Sequence, residues 1–218
     1  MLLHFFFGVK SGLSNILYFG ILLLMKLLLH SCCAPCSTAC IEALKNEVLN
    51  KEKITPVLFW YNPNVHPFTE YQSRKDSLVA FALEEKLDLL MEDEYGLRFF
   101  LQGMLKEPGS RENFDDEFNL RCNFCYRVRL EKTALLAREK GYDAFSTTLL
   151  TSPHQKHDLI RQYGEECSAQ YGIDFYYMDF RPWYNEGRKK AREKGRYMQK
   201  YCGCIFSEEE RYLQKNVH

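Results

Sequence analysis

A chain of 218 residues has the length of one domain and buries roughly 70% of the surface that its unfolded form exposes, so its stability does not require disulfides. Its 29 Lys and Arg balance 29 Asp and Glu, which excludes a global field drawing it to nucleic acid or an anionic membrane. Any such partner must be met by a local patch.

The chain opens on an apolar stretch. Ser11 to Met25 is uncharged and largely apolar, between Lys10 and Lys26. It lacks a small-residue cleavage site and is short for a membrane span. Met25 is therefore the expected initiator, residues 1–24 an extension outside the mature protein, and 25–218 a single cytoplasmic domain with no membrane partner. A strand is predicted over Leu27–His30, a helix near Thr38–Leu49, a strand over Val57–Tyr61, a helix near Phe68–Lys86 and a strand over Leu87–Met91. An acidic, irregular stretch around Glu107–Glu117 interrupts this rhythm. A helix near Phe124–Lys140 follows, its buried face expected on Val128, Leu135 and Leu136, with Gly141 a plausible residue just past its end. Then come a strand near Tyr142–Thr147, a helix capped by Ser152 with Pro153 at its first position and Gln155 closing a capping box, a stop at Gly172, and a strand over Ile173–Met178.

Alternation of this kind predicts an α/β, Rossmann-like fold: a mostly parallel sheet with helices on both faces and a metal site at the carboxyl ends of the strands. The segments expected on that rim are Ser31–Cys36, Asn62–Pro67, Thr147–Pro153 and Asp179–Trp183, which hold most of the unusual residues. There is no Gly-rich fingerprint for a nicotinamide, flavin or nucleoside triphosphate, so electrons must come from elsewhere.

Nine cysteines, at 32, 33, 36, 40, 122, 125, 167, 202 and 204, concentrate in three tight groups, a pattern of metal and redox thiols rather than of a secreted disulfide scaffold. Cys32, Cys33 and Cys36 occupy a strand-to-helix turn, where backbone N–H groups and the helix dipole favour thiolates. Adjacent side chains usually diverge, so Cys32 and Cys33 share one metal centre only if the turn is sharply bent. Cys36 is then a substitute ligand, or the ligand of a further iron. Cys122 and Cys125 form a C-x-x-C expected at a helix start, with both sulfurs on one face. Joined to the first group they supply four thiolates, for zinc or for a 4Fe-4S cluster. Cys202-Gly203-Cys204 closes only a small, strained ring if oxidised, which suits a labile redox pair, with a pair of metal ligands as the alternative. Cys40 and Cys167 sit inside amphipathic helices and read as small core hydrophobes.

Arg181 to Lys200 carries eight Lys or Arg against two Asp or Glu, with Trp183, Tyr184 and Tyr197 interleaved. Charge for an RNA backbone and rings for its bases are both present, which makes Arg181, Arg188, Lys189, Lys190 and Arg192 candidate RNA contacts.

With these motifs in place, the chain resembles the QueH-type, cobalamin-independent epoxyqueuosine reductases. The resemblance runs from about Met25 to Arg211 and rests on Leu28 to Cys36, Arg121 to Leu130, Phe145 to Pro153 and Tyr201 to Ser207. It implies that Cys32, Cys33, Cys122 and Cys125 hold a 4Fe-4S cluster and that Cys202 and Cys204 form a redox-active disulfide. The implied reaction reduces epoxyqueuosine at the tRNA wobble position to queuosine, with an external electron donor. Loss of the epoxide oxygen needs two electrons and two protons. An iron with an exchangeable position is expected to act as Lewis acid, with Tyr201, Tyr126 or Asp179 as proton sources. Two other classes fit the same residues, a zinc-stabilised tRNA-binding module and a thiol oxidoreductase acting on proteins.

Overall fold

The computed structural model describes residues 24–48, 54–106 and 117–213. The expected extension and the start at Met25 concern residues that, up to 23, lie outside this set, as does the acidic stretch from 107 to 116. Five strands form one parallel sheet: β1 (Met25–His30), β2 (Ile54–Trp60), β3 (Leu89–Met91), β4 (Ala144–Thr147) and β5 (Asp174–Phe175), in the spatial order β3-β2-β1-β4-β5. β1 lies at the centre, and Leu27, Leu28 and Leu29 are all fully buried, as a strand covered on both faces requires. Pro56 sits in β2 where β3, which pairs only with Leu58–Trp60, offers no neighbour, so its missing N–H is tolerated there.

Around the sheet run α1 (Ala34–Val48), α2 (Phe68–Glu85), α3 (Leu97–Met104), α4 (Glu117–Glu139), α5 (His157–Tyr171), α6 (Tyr184–Glu193) and α7 (Ile205–Tyr212). The strand order advances from β1 to β3 on one side and from β4 to β5 on the other. Right-handed crossovers then place α1 and α2 on one face and α4 and α5 on the opposite one, and the contacts α1 with α2 and α6, and α4 with α5, follow that division. The order reverses between β1 and β4, and the crevice above their carboxyl ends is where ligands gather in such sheets. Among the described residues no helix is long and apolar enough to cross a membrane.

Several expectations change. The helix after the fourth strand begins at His157, and Ser152 instead makes a turn in which its hydroxyl accepts from the His154 N–H at 3.2 Å. Tertiary contacts occupy the residues that the capping-box pattern assigned to the first turn. The last strand is two residues long, because only Asp174 and Phe175 have a partner in β4. Cys122 and Cys125 lie within α4, which starts at Glu117, so a helix N-terminus does not explain their chemistry. The buried stripe of α4 is Tyr126, Arg129, Leu130, Thr133, Ala134 and Ala137, whereas Val128, Leu135 and Leu136 are half-buried. Small and polar residues take that stripe because the helix lies close on β1 and β4 and turns a charged group inward. The helices α3, α6 and α7 were not anticipated.

His66, at the end of the loop after β2, is fully buried between the rings of Tyr95 and Phe100. Burial lowers its pKa to about 4, so the folded protein refuses a proton that the unfolded chain accepts below its ordinary value of about 6.5. The folded state thus loses stability as pH falls from about 6.5 toward 4, by about 1.4 kcal/mol per pH unit for this one site. Urea unfolding at pH 7, 6 and 5 should show a shallower decline for His66→Phe than for the unchanged protein.

Candidate metal and redox centre

The turn from β1 into α1 brings Cys32, Cys33 and Cys36 together, with sulfurs within 4.8 Å of one another and all three residues buried. The Sγ atoms of the adjacent pair lie 3.7 Å apart, so the bend is as sharp as a shared metal centre requires. Donors converge on this trio. The Cys36 N–H donates to Cys33 Sγ at 3.5 Å, Gln199 Nε2 to Cys33 Sγ at 3.0 Å, and the Thr148 hydroxyl to Cys32 Sγ at 3.3 Å. Hydrogen bonds from the Cys33 and Cys36 thiols, with that from Thr148, hold the Cys32 thiol well below its usual range, while burial pushes Cys33 up. Thr148 follows β4, so the two strands flanking the switch point meet at this sulfur.

Cys32 and Cys36 open onto a cavity of about 800 Å³, also lined by Cys122, Cys202 and Cys204. Its size is that of a small-molecule site. Cys125 is buried beside Cys204 in a small cluster with Phe100 and Phe124. Burial raises the pKa of Cys122 to about 11 and pushes that of Cys125 well up, so neither is a thiolate unless a cation or metal compensates. Cys40 and Cys167 are core residues as expected; Cys40 Sγ lies 2.9 Å from the Thr151 hydroxyl.

Cys202 is exposed and Cys204 buried, and both are free thiols. The turn that carries them is tied down on every side. Arg74 of α2 donates through Nη2 to the Tyr201 carbonyl at 2.9 Å and through Nη1 to the Cys202 carbonyl at 2.8 Å. The His66 N–H donates to the Gly203 carbonyl at 2.7 Å, and the Gly203 N–H to the Ser207 hydroxyl at 3.1 Å. Gly203 has φ +133°, and a Cβ there would meet Arg74 Nη1 at 2.9 Å, so glycine is required by conformation and by space. Gln155 Nε2 donates to Cys202 Sγ at 3.4 Å while its Oε1 accepts from the Tyr126 hydroxyl at 2.8 Å.

Three arginines give the centre its positive charge: Arg74, Arg121 and Arg129, exposed by 1%, 3% and 1%. Arg74 pairs with Glu70 at 2.6 Å and acts electrostatically on Cys33 and Cys32; Arg121 pairs with Glu210 and acts on Cys204 and Cys122. Arg129 donates through Nη2 to Cys125 Sγ at 2.8 Å. The sequence reading missed Arg74, Arg129, Gln155 and Gln199 as site residues. Only Arg129 left a signal, standing one helical turn after Cys125 on the same face.

Of the predicted RNA contacts, Arg188 lines the cavity, joined at its wall by Lys200, Arg211 and Tyr184. Arg181 is held by Asp179 at 2.8 and 2.6 Å, Lys190 by Glu42 at 2.7 Å and Glu186 at 3.1 Å, and Lys189 lies 3.9 Å from Glu193. Arg192 is exposed outside the cavity lining. The three expected proton sources are also engaged: Tyr126 donates to Gln155, Tyr201 to the His66 carbonyl at 2.8 Å, and Asp179 binds Arg181.

A family model described as Epoxyqueuosine reductase QueH matches residues 27–210, the span holding every cysteine of this centre. The chain belongs to the QueH family. Curated relatives named Epoxyqueuosine reductase QueH are similar over most of this chain. The one from Dehalococcoides mccartyi is 34% identical over 191 residues, covering 88% of this chain and 97% of the relative. That from Thermotoga maritima is 33% identical over 184 residues, covering 83% and 88%, and that from Acinetobacter baylyi 34% over 188 residues, covering 84% and 80%.

Replacing Arg74 by Met leaves Glu70 buried without its cation and frees the Cys202 turn. Urea unfolding of Arg74→Met should show a loss of about 3 kcal/mol or more, and a Glu70→Leu/Arg74→Met double variant should recover part of it.

Proposed function

We propose that this QueH-family protein reduces the epoxide of epoxyqueuosine in tRNA to the alkene of queuosine, using a 4Fe-4S cluster held by Cys32, Cys33, Cys122 and Cys125 and a dithiol formed by Cys202 and Cys204. The observation that carries this reading is the meeting of two kinds of thiol at one cavity: buried sulfurs backed by arginines, and an exposed sulfur on a clamped turn. The donor set fits the cluster. Soft thiolates are its ligands, the site is built around fixed cations that a thiolate-bound cluster would neutralise, and a reductase needs an electron carrier, which zinc is not. When bound, the cluster supplies single electrons. Cys36 is available as a substitute ligand or as the ligand of a further iron.

The dithiol balances the reaction. Both epoxide C–O bonds break, the oxygen leaves as water with the protons of the two thiols, and the two electrons come from forming the Cys202–Cys204 bond. An external electron donor then restores the dithiol. This assignment needs no separate side-chain acid, which accords with the engaged hydroxyls of Tyr126 and Tyr201. Gln155 orients Cys202 from one side and Arg74 holds its carbonyl from the other. The wobble nucleotide enters the cavity past Tyr184, with Arg188, Lys200 and Arg211 at its phosphates.

Anaerobically purified protein should be brown, contain iron and sulfide in equal amounts, and convert epoxyqueuosine in tRNA. A colourless protein with tightly bound zinc favours a binding module instead. Cys122→Ser and Cys125→Ser should lose the cluster, and Cys40→Ser and Cys167→Ser should keep it. Cys202→Ser and Cys204→Ser should retain iron yet stop after at most a single turnover, read by nucleoside analysis of the treated tRNA.

The RNA contacts are testable separately. Arg188→Ala, Lys200→Ala and Arg211→Ala should each flatten the dependence of log Kd on log salt by about 0.7, the value for one contact to a single strand. Lys189→Ala and Arg181→Ala should leave it unchanged.

A further inference from the structure

Arg74 and Arg121 each bring a carboxylate with them, Glu70 and Glu210. Arg129 does not. Its Nε donates to the Cys125 carbonyl at 2.9 Å and its Nη2 to Cys125 Sγ at 2.8 Å, and its electrostatic neighbours also include Cys202, Cys32, Tyr126 and His30. A guanidinium does not lose its proton in a protein, and a cation 1% exposed without a counter-charge costs several kcal/mol. The position is therefore built for negative charge on sulfur. A purely structural role would be met by a neutral donor to the Cys125 carbonyl, one helical turn back.

We propose that Arg129 is a positioning residue for the cofactor: the fixed counter-charge that makes the cluster easier to reduce, through its hydrogen bond to the sulfur of Cys125. The proposal rests on the reading that Cys125 is a cluster ligand. Reduction moves one electron from the reductant onto the cluster, makes and breaks no bond, and leaves the site one unit more negative. A cation in contact with a ligand sulfur stabilises the reduced state more than the oxidised one, and net charge and hydrogen bonds to sulfur are among the factors that set cluster potentials. Arg129 also reaches Cys202 and Cys32 electrostatically, so the same charge spans the cluster ligands and the redox pair.

The test is a spectroelectrochemical titration of anaerobically prepared Arg129→Gln and Arg129→Lys, alongside iron, sulfide and far-ultraviolet circular dichroism. Arg129→Gln should fold, hold iron and sulfide as the unchanged protein does, and be harder to reduce by about tenfold or more in equilibrium constant, which is 59 mV for a one-electron couple. Arg129→Lys keeps the charge and should stay within about threefold of the unchanged protein. Loss of the cluster from a folded Arg129→Gln but not from Arg129→Lys supports the same claim. The proposal is overturned by a loaded Arg129→Gln with an unaltered potential, by a Lys variant that behaves as the Gln variant does, or by failure of both to fold or to load. If the unchanged protein holds no iron and sulfide, the cluster reading itself is what fails, and this proposal with it.

Discussion

A buried guanidinium that keeps its proton must be matched by negative charge held equally far from water, and this requirement organises the upper end of the sheet. Arg74 comes from α2 on one face, and Arg121 and Arg129 from α4 on the other. They converge where the strand order reverses, beside the turn after β1. The thiols are the matching charge in waiting. Burial raises the pKa values of Cys122 and Cys125 and keeps them neutral, whereas a metal bound to them would strip their protons and let the arginines see thiolates. A metal bound here would balance the charge of the core as it loads.

The same arginines explain why the Cys202–Cys204 turn is where it is. Glu70 neutralises Arg74 and also accepts from the Tyr197 hydroxyl, so α2 grips the segment leading to Cys202 at a side chain and at two carbonyls. A turn anchored through its backbone leaves the Cys202 side chain exposed, with Gln155 donating to its sulfur.

The central strands, the α/β class and the cysteine groups were legible in the sequence because they rest on local signals: apolar runs of strand length, glycine at helix ends, thiols in pairs. Gly172 ends α5 in the left-handed region as its position suggested. The short helices α3, α6 and α7 carry too few turns for periodicity to speak, and Ile173–Met178 looked like a strand because its residues are apolar and aromatic, although β4 is too short to pair with all of it. The basic run from Arg181 showed composition but not direction. Folding pairs half of those eight charges with Glu42, Glu84 and Asp179 and turns Arg188 to the cavity. Arg74 was invisible and Arg129 left only its spacing from Cys125, because a charged residue on a helix is ordinarily solvated and only tertiary packing reveals the exception.

The strand order also imposes a sequence of assembly. β1 pairs on one side with β2, close behind it in the chain, and on the other with β4, so the middle of the sheet stays open until Thr147 has left the ribosome. By then Cys32, Cys33, Cys36, Cys122 and Cys125 have all been synthesised, and Cys202 and Cys204 have not. The nascent chain therefore presents the sulfurs of its first two cysteine groups to the cell before the third group exists.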